Sequence, residues 1–210
     1  MAKDLWCNTS KPLDEQRAEW QAALANYETC ASDHKELDEY VHQEYAKTVQ
    51  ARKPRRYVTK EELVKVIKWK FAHGKFRPLM GLVQSNSAGS VETQSDKALS
   101  LLLGKEDEDI SVPLSAVEVL CELKGIGPAS ASALLAPLYP RSLPFMSDEA
   151  MEAIPELGPK KYTLPHYDRL RVYLSQRAEV LGSPWTAETV GRALWSAARA
   201  ASPSSKKRKR

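Results

Sequence analysis

The run Leu123-Lys124-Gly125-Ile126-Gly127-Pro128-Ala129-Ser130-Ala131 decides how this chain folds. Upstream, Val117, Leu120, Cys121 and Leu123 make one apolar face, which predicts a helix from about residue 113 to 123. Downstream, Ala129 to Leu135 reads as a second helix built from small residues. Between them lies a turn with two glycines. Gly125 is placed to take positive φ as the first helix ends. Gly127 leaves room for close approach of another backbone. Pro128 suits the first turn of the next helix, where its missing N–H costs nothing. Ala131 and Ala133 let the two helices pack closely. The N–H groups around Gly127 stand at a helix N-terminus, a ready site for a phosphate oxygen. The plain alternative is an ordinary helix–helix turn that merely uses two glycines.

Outward from that corner the pattern stays helical, and the fold class expected is all-α. Leu13 to about Glu28 places Trp20, Ala23, Leu24 and Tyr27 on one face. His34 to Gln50 does the same with Leu37, Tyr40, Val41 and Tyr45, with Ser32 or Asp33 as the cap. A basic connector broken by Pro54 follows. Thr59-Lys60-Glu61-Glu62 is a capping box that opens a helix with Leu63, Val66 and Ile67 inward. That helix is expected to stop at His73-Gly74, with Gly74 as a left-handed cap. Short helices are predicted at 76–85 and 90–103, then an acidic loop at 104–112. Leu164–Leu181 and Ala187–Ala200 close the fold, with Val190, Leu194 and Trp195 in the core. Neither a period-2 strand nor an internal repeat is found. The expected organisation is 1–50 as charged helices (an arm or part of the domain), 51–200 as the helical domain, and 201–210 as a disordered basic tail.

Composition narrows the classes. With 210 residues, 42% of them hydrophobic, the chain is long enough for one or two domains with a real core. No run approaches the roughly 18 apolar residues of a membrane span, so no membrane partner is expected. The N-terminal residues lack the apolar stretch of a secretory signal. Cys7, Cys30 and Cys121 are scattered, which predicts neither a disulfide framework nor a zinc finger and favours a reducing compartment. Cys121 is expected to be buried. His34, His42, His73 and His166 are dispersed in sequence, and no metal site is expected from them.

The charge is segregated. The chain's +4 conceals −5 over residues 1–50, +8 over 51–80, −7 over 81–155, +3 over 156–205 and +5 in Lys206-Lys207-Arg208-Lys209-Arg210 alone. A local basic patch attracts a polyanion even when net charge does not. In the basic segment Lys68-Trp69-Lys70 and Gly74-Lys75-Phe76-Arg77-Pro78 interleave cations with aromatics, a composition suited to phosphate contacts and base stacking. Lys68, Lys70, Lys75 and Arg77 are the candidate phosphate contacts. A solvated helix face with Phe71 in the core is the competing reading. Gln84, Ser85 and Asn86 offer polar groups for a base edge. The terminal Lys/Arg run reads as a nuclear localisation signal, or as a nucleic-acid tether, and the expected compartment is the nucleus.

The 123–131 run resembles the helix-hairpin-helix (HhH-GPD-like) superfamily of base-excision DNA glycosylases. The resemblance covers roughly residues 113–160. It implies DNA as partner, held by backbone amides at Lys124, Gly125, Ile126, Gly127 and Ala129, with a monovalent cation at the hairpin and no other cofactor. It also implies a catalytic Asp after a Gly/Pro-rich loop. Here Leu138 to Ser147 is that loop and Asp148 follows, 21 residues after Gly127. Ile154-Pro155-Glu156-Leu157-Gly158 resembles the stretch beyond the family's Asp. The chain departs from the pattern in three ways. Glu118 stands where bifunctional members carry a Schiff-base Lys, no Cys quartet is present, and Glu149 follows Asp148.

Three functions are therefore expected, in this order: a DNA-binding protein with a glycosylase-like architecture; an active monofunctional DNA glycosylase; and a non-catalytic protein-interaction scaffold. In the second, Asp148 stabilises the oxocarbenium that forms as the N-glycosidic bond breaks, and orients a water. The base must first leave the stack. Against catalysis stands the simpler role of Ser147 or Asp148 as the cap of the following helix.

Overall fold

The computed structural model describes residues 2–75, 77–104 and 112–201, and these contain helices and no strand. In chain order the α-helices are α1 (Ala2–Cys7), α2 (Leu13–Ala25), α3 (Tyr27–Cys30), α4 (Lys35–Glu39), α5 (Ala46–Ala51), α6 (Lys60–His73), α7 (Met80–Gln84), α8 (Ala88–Ser100), α9 (Ser115–Leu120), α10 (Pro128–Leu135), α11 (Asp148–Ala153), α12 (Leu164–Leu181) and α13 (Ala187–Ala201). A π-helical segment, Tyr40–Tyr45, joins α4 to α5 without a break. None of the described helices is long and apolar enough to cross a membrane. The 206–210 tail and most of the 104–112 loop lie outside the described residues.

Two helices act as hubs. α6 packs on α4, α7, α8 and α10, while α13 packs on α1, α2, α3, α11 and α12. The sequence explains both. In α6, Leu63, Val66 and Ile67 recur at helical spacing and are fully buried. In α13, Val190, Ala193 and Leu194 do the same. Each buried Val, Leu or Ile side chain contributes about 1.5–3 kcal/mol relative to leaving it exposed. The N-terminal helices share this core: Trp6 and Trp20 are buried with Val41, Tyr45 and Val49 in one continuous cluster. Trp20 meets Trp6 and Trp185 edge-on, with ring centroids 6.4 and 6.1 Å away.

Helix starts follow the expected chemistry more closely than helix stops. The capping box at Thr59 is complete, with Glu62 N–H donating to Thr59 Oγ1 (3.2 Å) and Thr59 N–H to Glu62 Oε2 (2.8 Å). Neither Ser32 nor Asp33 caps the helix that follows them. A 3-10 turn over Ser32–His34 leads into α4 instead, and no side chain caps it. Gly74 does end α6 but is not left-handed, with φ −113° and ψ −143°. The reason lies in the last carbonyls. His73 C=O accepts from Trp195 Nε1 (3.0 Å) and Arg199 Nη2 (2.6 Å), so side chains of α13 satisfy the last carbonyl and hold the chain where the helix ends. Cys121 is half-buried rather than buried.

Candidate nucleic-acid interface

The 123–131 corner folds as a tight turn between α9 and α10. Ile126 N–H closes it on Leu123 C=O at 3.2 Å. Gly125 has φ +76°, where a side chain is strained. A Cβ there would also stand 3.1 Å from Leu82 Cβ and 3.2 Å from Val83 N. Close approach is thus made at Gly125, against α7. Gly127, where it was expected, has φ −115° and nothing within 4 Å of an added Cβ. Pro128 is the first residue of α10 as expected. Ile126 and Ala129 are turned into the core, whereas Lys124 and Gly127 are exposed. The amides of Gly125, Gly127 and Ala129 donate to none of the described residues.

Asn86 holds this turn in place. Its carboxamide pairs with both sides of the Lys124 backbone, donating to Lys124 C=O and accepting from Lys124 N–H, each at 2.9 Å, and it also donates to Val83 C=O at 2.9 Å. Asn86 is buried by this work and has no base edge to read. Ser85 Oγ is likewise spent on Leu82 C=O (2.7 Å).

Ala129 carries the corner into a cleft. Its other walls include Lys70, Gly74, Lys75 and Arg77 from the end of α6 and the segment beyond, Met146 and Asp148 from the start of α11, and Tyr162. Of the candidate residues, Lys70, Lys75, Arg77, Ala129 and Asp148 come together here. Lys68 and Lys124 are exposed but do not line the cleft. The enclosed space is about 40 Å³, enough for ordered water.

Ser147 caps α11, its Oγ accepting from Ala150 N–H at 3.1 Å. Asp148 is the first residue of the helix and its carboxylate is left for the cleft. Oδ1 accepts from Tyr162 OH at 2.7 Å, and Oδ2 from Lys160 Nζ at 3.3 Å, with Lys75 Nζ at 3.8 Å. Burial pushes this carboxyl up, but the Tyr162 hydroxyl and the Lys160 ammonium outweigh it and hold it below its ordinary range. Glu149 behaves oppositely. Burial raises its carboxyl, Oε2 has no hydrogen-bond partner, and Arg199 is 3.5 Å from Oε1. Two adjacent carboxyls in one cleft are thus pushed in opposite directions, a pattern that recurs where acid and base roles are divided. Lys70 is pulled below its ordinary range, chiefly by burial. The Arg77 guanidinium lies 5.9 Å from the Tyr162 ring centroid.

Sequence reading missed Tyr162 and Glu149 as cleft residues and Lys160 as a partner of Asp148. Lys160-Lys161-Tyr162 does carry a signal, since it repeats the cation–aromatic mixture that singled out Lys68-Trp69-Lys70. Glu118 is exposed on α9.

No family model, curated protein or solved structure matches this chain.

Proposed function

We propose that this chain binds DNA through the Gly125–Gly127 corner, as a helix-hairpin-helix protein of glycosylase-like architecture acting in the nucleus. One observation carries the reading: the amides of Gly127 and Ala129 have no protein acceptor, stand at an open helix start, and adjoin a cleft walled by Lys70, Lys75 and Arg77. A phosphate oxygen satisfies such amides, and the neighbouring cations supply the sequence-independent attraction of a DNA backbone. The terminal Lys206 to Arg210 run would add charge and a nuclear address.

The test is duplex affinity as a function of salt. Log K should fall linearly with log salt, with a slope near −0.9 per phosphate neutralised. Gly127→Glu is the decisive variant, because a side chain at Gly127 meets open space and ordinary backbone angles and leaves the fold intact. It should weaken every duplex by about 10–100-fold, the range for hydrogen bonds to a charged partner. Binding absent at low salt, or unchanged in Gly127→Glu, rejects the reading and returns the corner to protein docking.

A second reading is favoured by Asp148. A carboxylate kept ionised at a cleft wall beside the corner suits a monofunctional DNA N-glycosylase: it would stabilise the positive sugar and orient the water that adds to it as the base departs. Uracil-, alkyl- and oxidised-base duplexes incubated with wild type and Asp148→Asn test this. Excision that persists in Asp148→Asn overturns the assignment.

A further inference from the structure

The four histidines are scattered through the sequence, yet the fold gathers three of them around one carboxylate. His34 closes the 3-10 turn before α4, Asp38 lies one helical turn further on, and His73 is the last residue of α6. Their nitrogen and carboxylate atoms all lie within 4.8 Å of one another. His42 stands beside them, with Nε2 3.5 Å from Asp38 Oδ1. We propose that His34, Asp38 and His73 bind a divalent transition-metal ion of the Zn2+ class, clamping α4 to α6 directly behind the Asp148 cleft.

The spacing suits an ion. His34 Nε2 and His73 Nδ1 are 3.2 Å apart. Two nitrogens bound to one tetrahedral zinc at about 2.0–2.1 Å are separated by about 3.3–3.4 Å. For this pair, a metal in place of the shared proton needs a shift of only about 0.2 Å, and the Asp38 oxygen, within 4.8 Å, closes on the ion by a larger side-chain movement. Two imidazoles and one carboxylate form a set that Zn2+, Co2+ or Fe2+ accepts, whereas Ca2+ and Mg2+ call for oxygen alone. A fourth position is left for water.

The surroundings hold the donors in binding form. Asp38 Oδ1 accepts from Tyr27 OH (2.6 Å) and Trp69 Nε1 (2.9 Å), which fixes the carboxylate while no described residue donates to Oδ2. Outer hydrogen bonds of this kind orient metal ligands. Burial pushes Asp38 up, but His42, Tyr27 and Trp69 together hold it well below the ordinary carboxylate range, so it is ionised. Burial pushes the imidazoles of His34 and His73 below their ordinary range, which favours the neutral form that metals bind. The His73 ring is locked between two indoles, with centroids 3.8 Å from Trp195 and 4.8 Å from Trp69. Arg199 is the opposing charge, and it is engaged with the His73 carbonyl. Access is provided by a groove of about 400 Å³ that reaches Asp38 and His42 past Glu28 and Glu39, with Lys35 and Arg192 on its walls.

The experiment uses the full chain, stripped with chelator and titrated with Zn2+ by calorimetry and by competition with a chromogenic chelator. Co2+ then serves as a spectroscopic probe of ligand number. One equivalent should bind. His34→Gln, at a half-buried site, should weaken binding about 100-fold or more. Tyr27→Phe should weaken it about 10–100-fold, the usual cost of losing an outer-shell partner. His166→Gln should bind as wild type does. No stoichiometric uptake at micromolar Zn2+ overturns the proposal. So does His34→Gln binding like wild type, or His166→Gln losing as much as His34→Gln.

Discussion

Asp38 and Asp148 each accept a short hydrogen bond from a tyrosine, Tyr27 at 2.6 Å and Tyr162 at 2.7 Å, yet the two pairs sit in opposite surroundings. Tyr27 is 1% exposed and belongs to a box of aromatic rings between α3, α6 and α13, whereas Tyr162 is 42% exposed. Asp38 is balanced by neutral donors and a histidine, and Asp148 by two lysines. The contrast lies in the donors: Tyr27 and Trp69 are enclosed, so a donor that loses Asp38 has no solvent to turn to, whereas Tyr162 is open to water. Equal hydrogen bonds therefore carry unequal consequences. The buried pair organises the fold, and the cleft pair keeps a charge available at a surface.

Breaking the buried pair is the harsher way to probe that contrast. Asp38→Ala strands Tyr27 OH and Trp69 N–H in the box, each costing about 1–3 kcal/mol when left unpaired. A loss of about 2–5 kcal/mol is expected in urea denaturation with chelator present. A loss below about 1 kcal/mol would mean that water reaches the box, and the contrast would fail. Tyr27→Phe should cost less, about 1.5–3 kcal/mol, the range for one hydrogen bond to a charged group.

Acid titration sharpens the same difference. The Asp38 carboxyl titrates lower in the folded chain than in the unfolded one. Between those two values the unfolded state binds more protons, so stability rises with pH. The contribution of Asp38 is complete above the unfolded value near 4 and is lost as pH falls toward the folded one. Denaturation midpoints should therefore decline below about pH 4 in wild type, and Asp38→Asn should flatten that decline. An unchanged acid slope in the variant would refute the assignment.

The cleft and the box were unequally legible in the sequence. The corner could be read because its requirements are local: Gly125 needs positive φ, and Pro128 needs a position whose N–H is unused. α12 and most of α13 could be read because their apolar positions recur along one face. The gathering of His34, Asp38 and His73 could not, since His73 lies 39 residues from His34 and only tertiary packing unites them. Asn86 was misplaced for a related reason. A buried carboxamide paired to Lys124 backbone looks, in sequence, like any polar residue at a helix end. Gly74 shows the limit from the other side, because side chains of α13, distant in sequence, hold the His73 carbonyl at the end of α6.

The gentlest probe is Tyr162→Phe. It removes one donor from Asp148 but leaves Lys160 at 3.3 Å and Lys75 at 3.8 Å, and water can replace the lost hydroxyl. Stability at neutral pH should change by about 1 kcal/mol or less, as for other exposed charged pairs. The acidity of Asp148 should respond more visibly. The Tyr162 hydroxyl lowers this carboxyl against burial, together with Lys160, so its removal should move the Asp148 titration upward, toward the ordinary range, in a carboxyl-detected NMR series. The sign follows from the charge: the hydroxyl donates to the ionised form and not to the protonated one. A variant whose Asp148 titrates as in wild type, while stability falls by several kcal/mol, would make Tyr162 a packing residue and Asp148 a second buried carboxylate, and the distinction between the two aspartates would disappear.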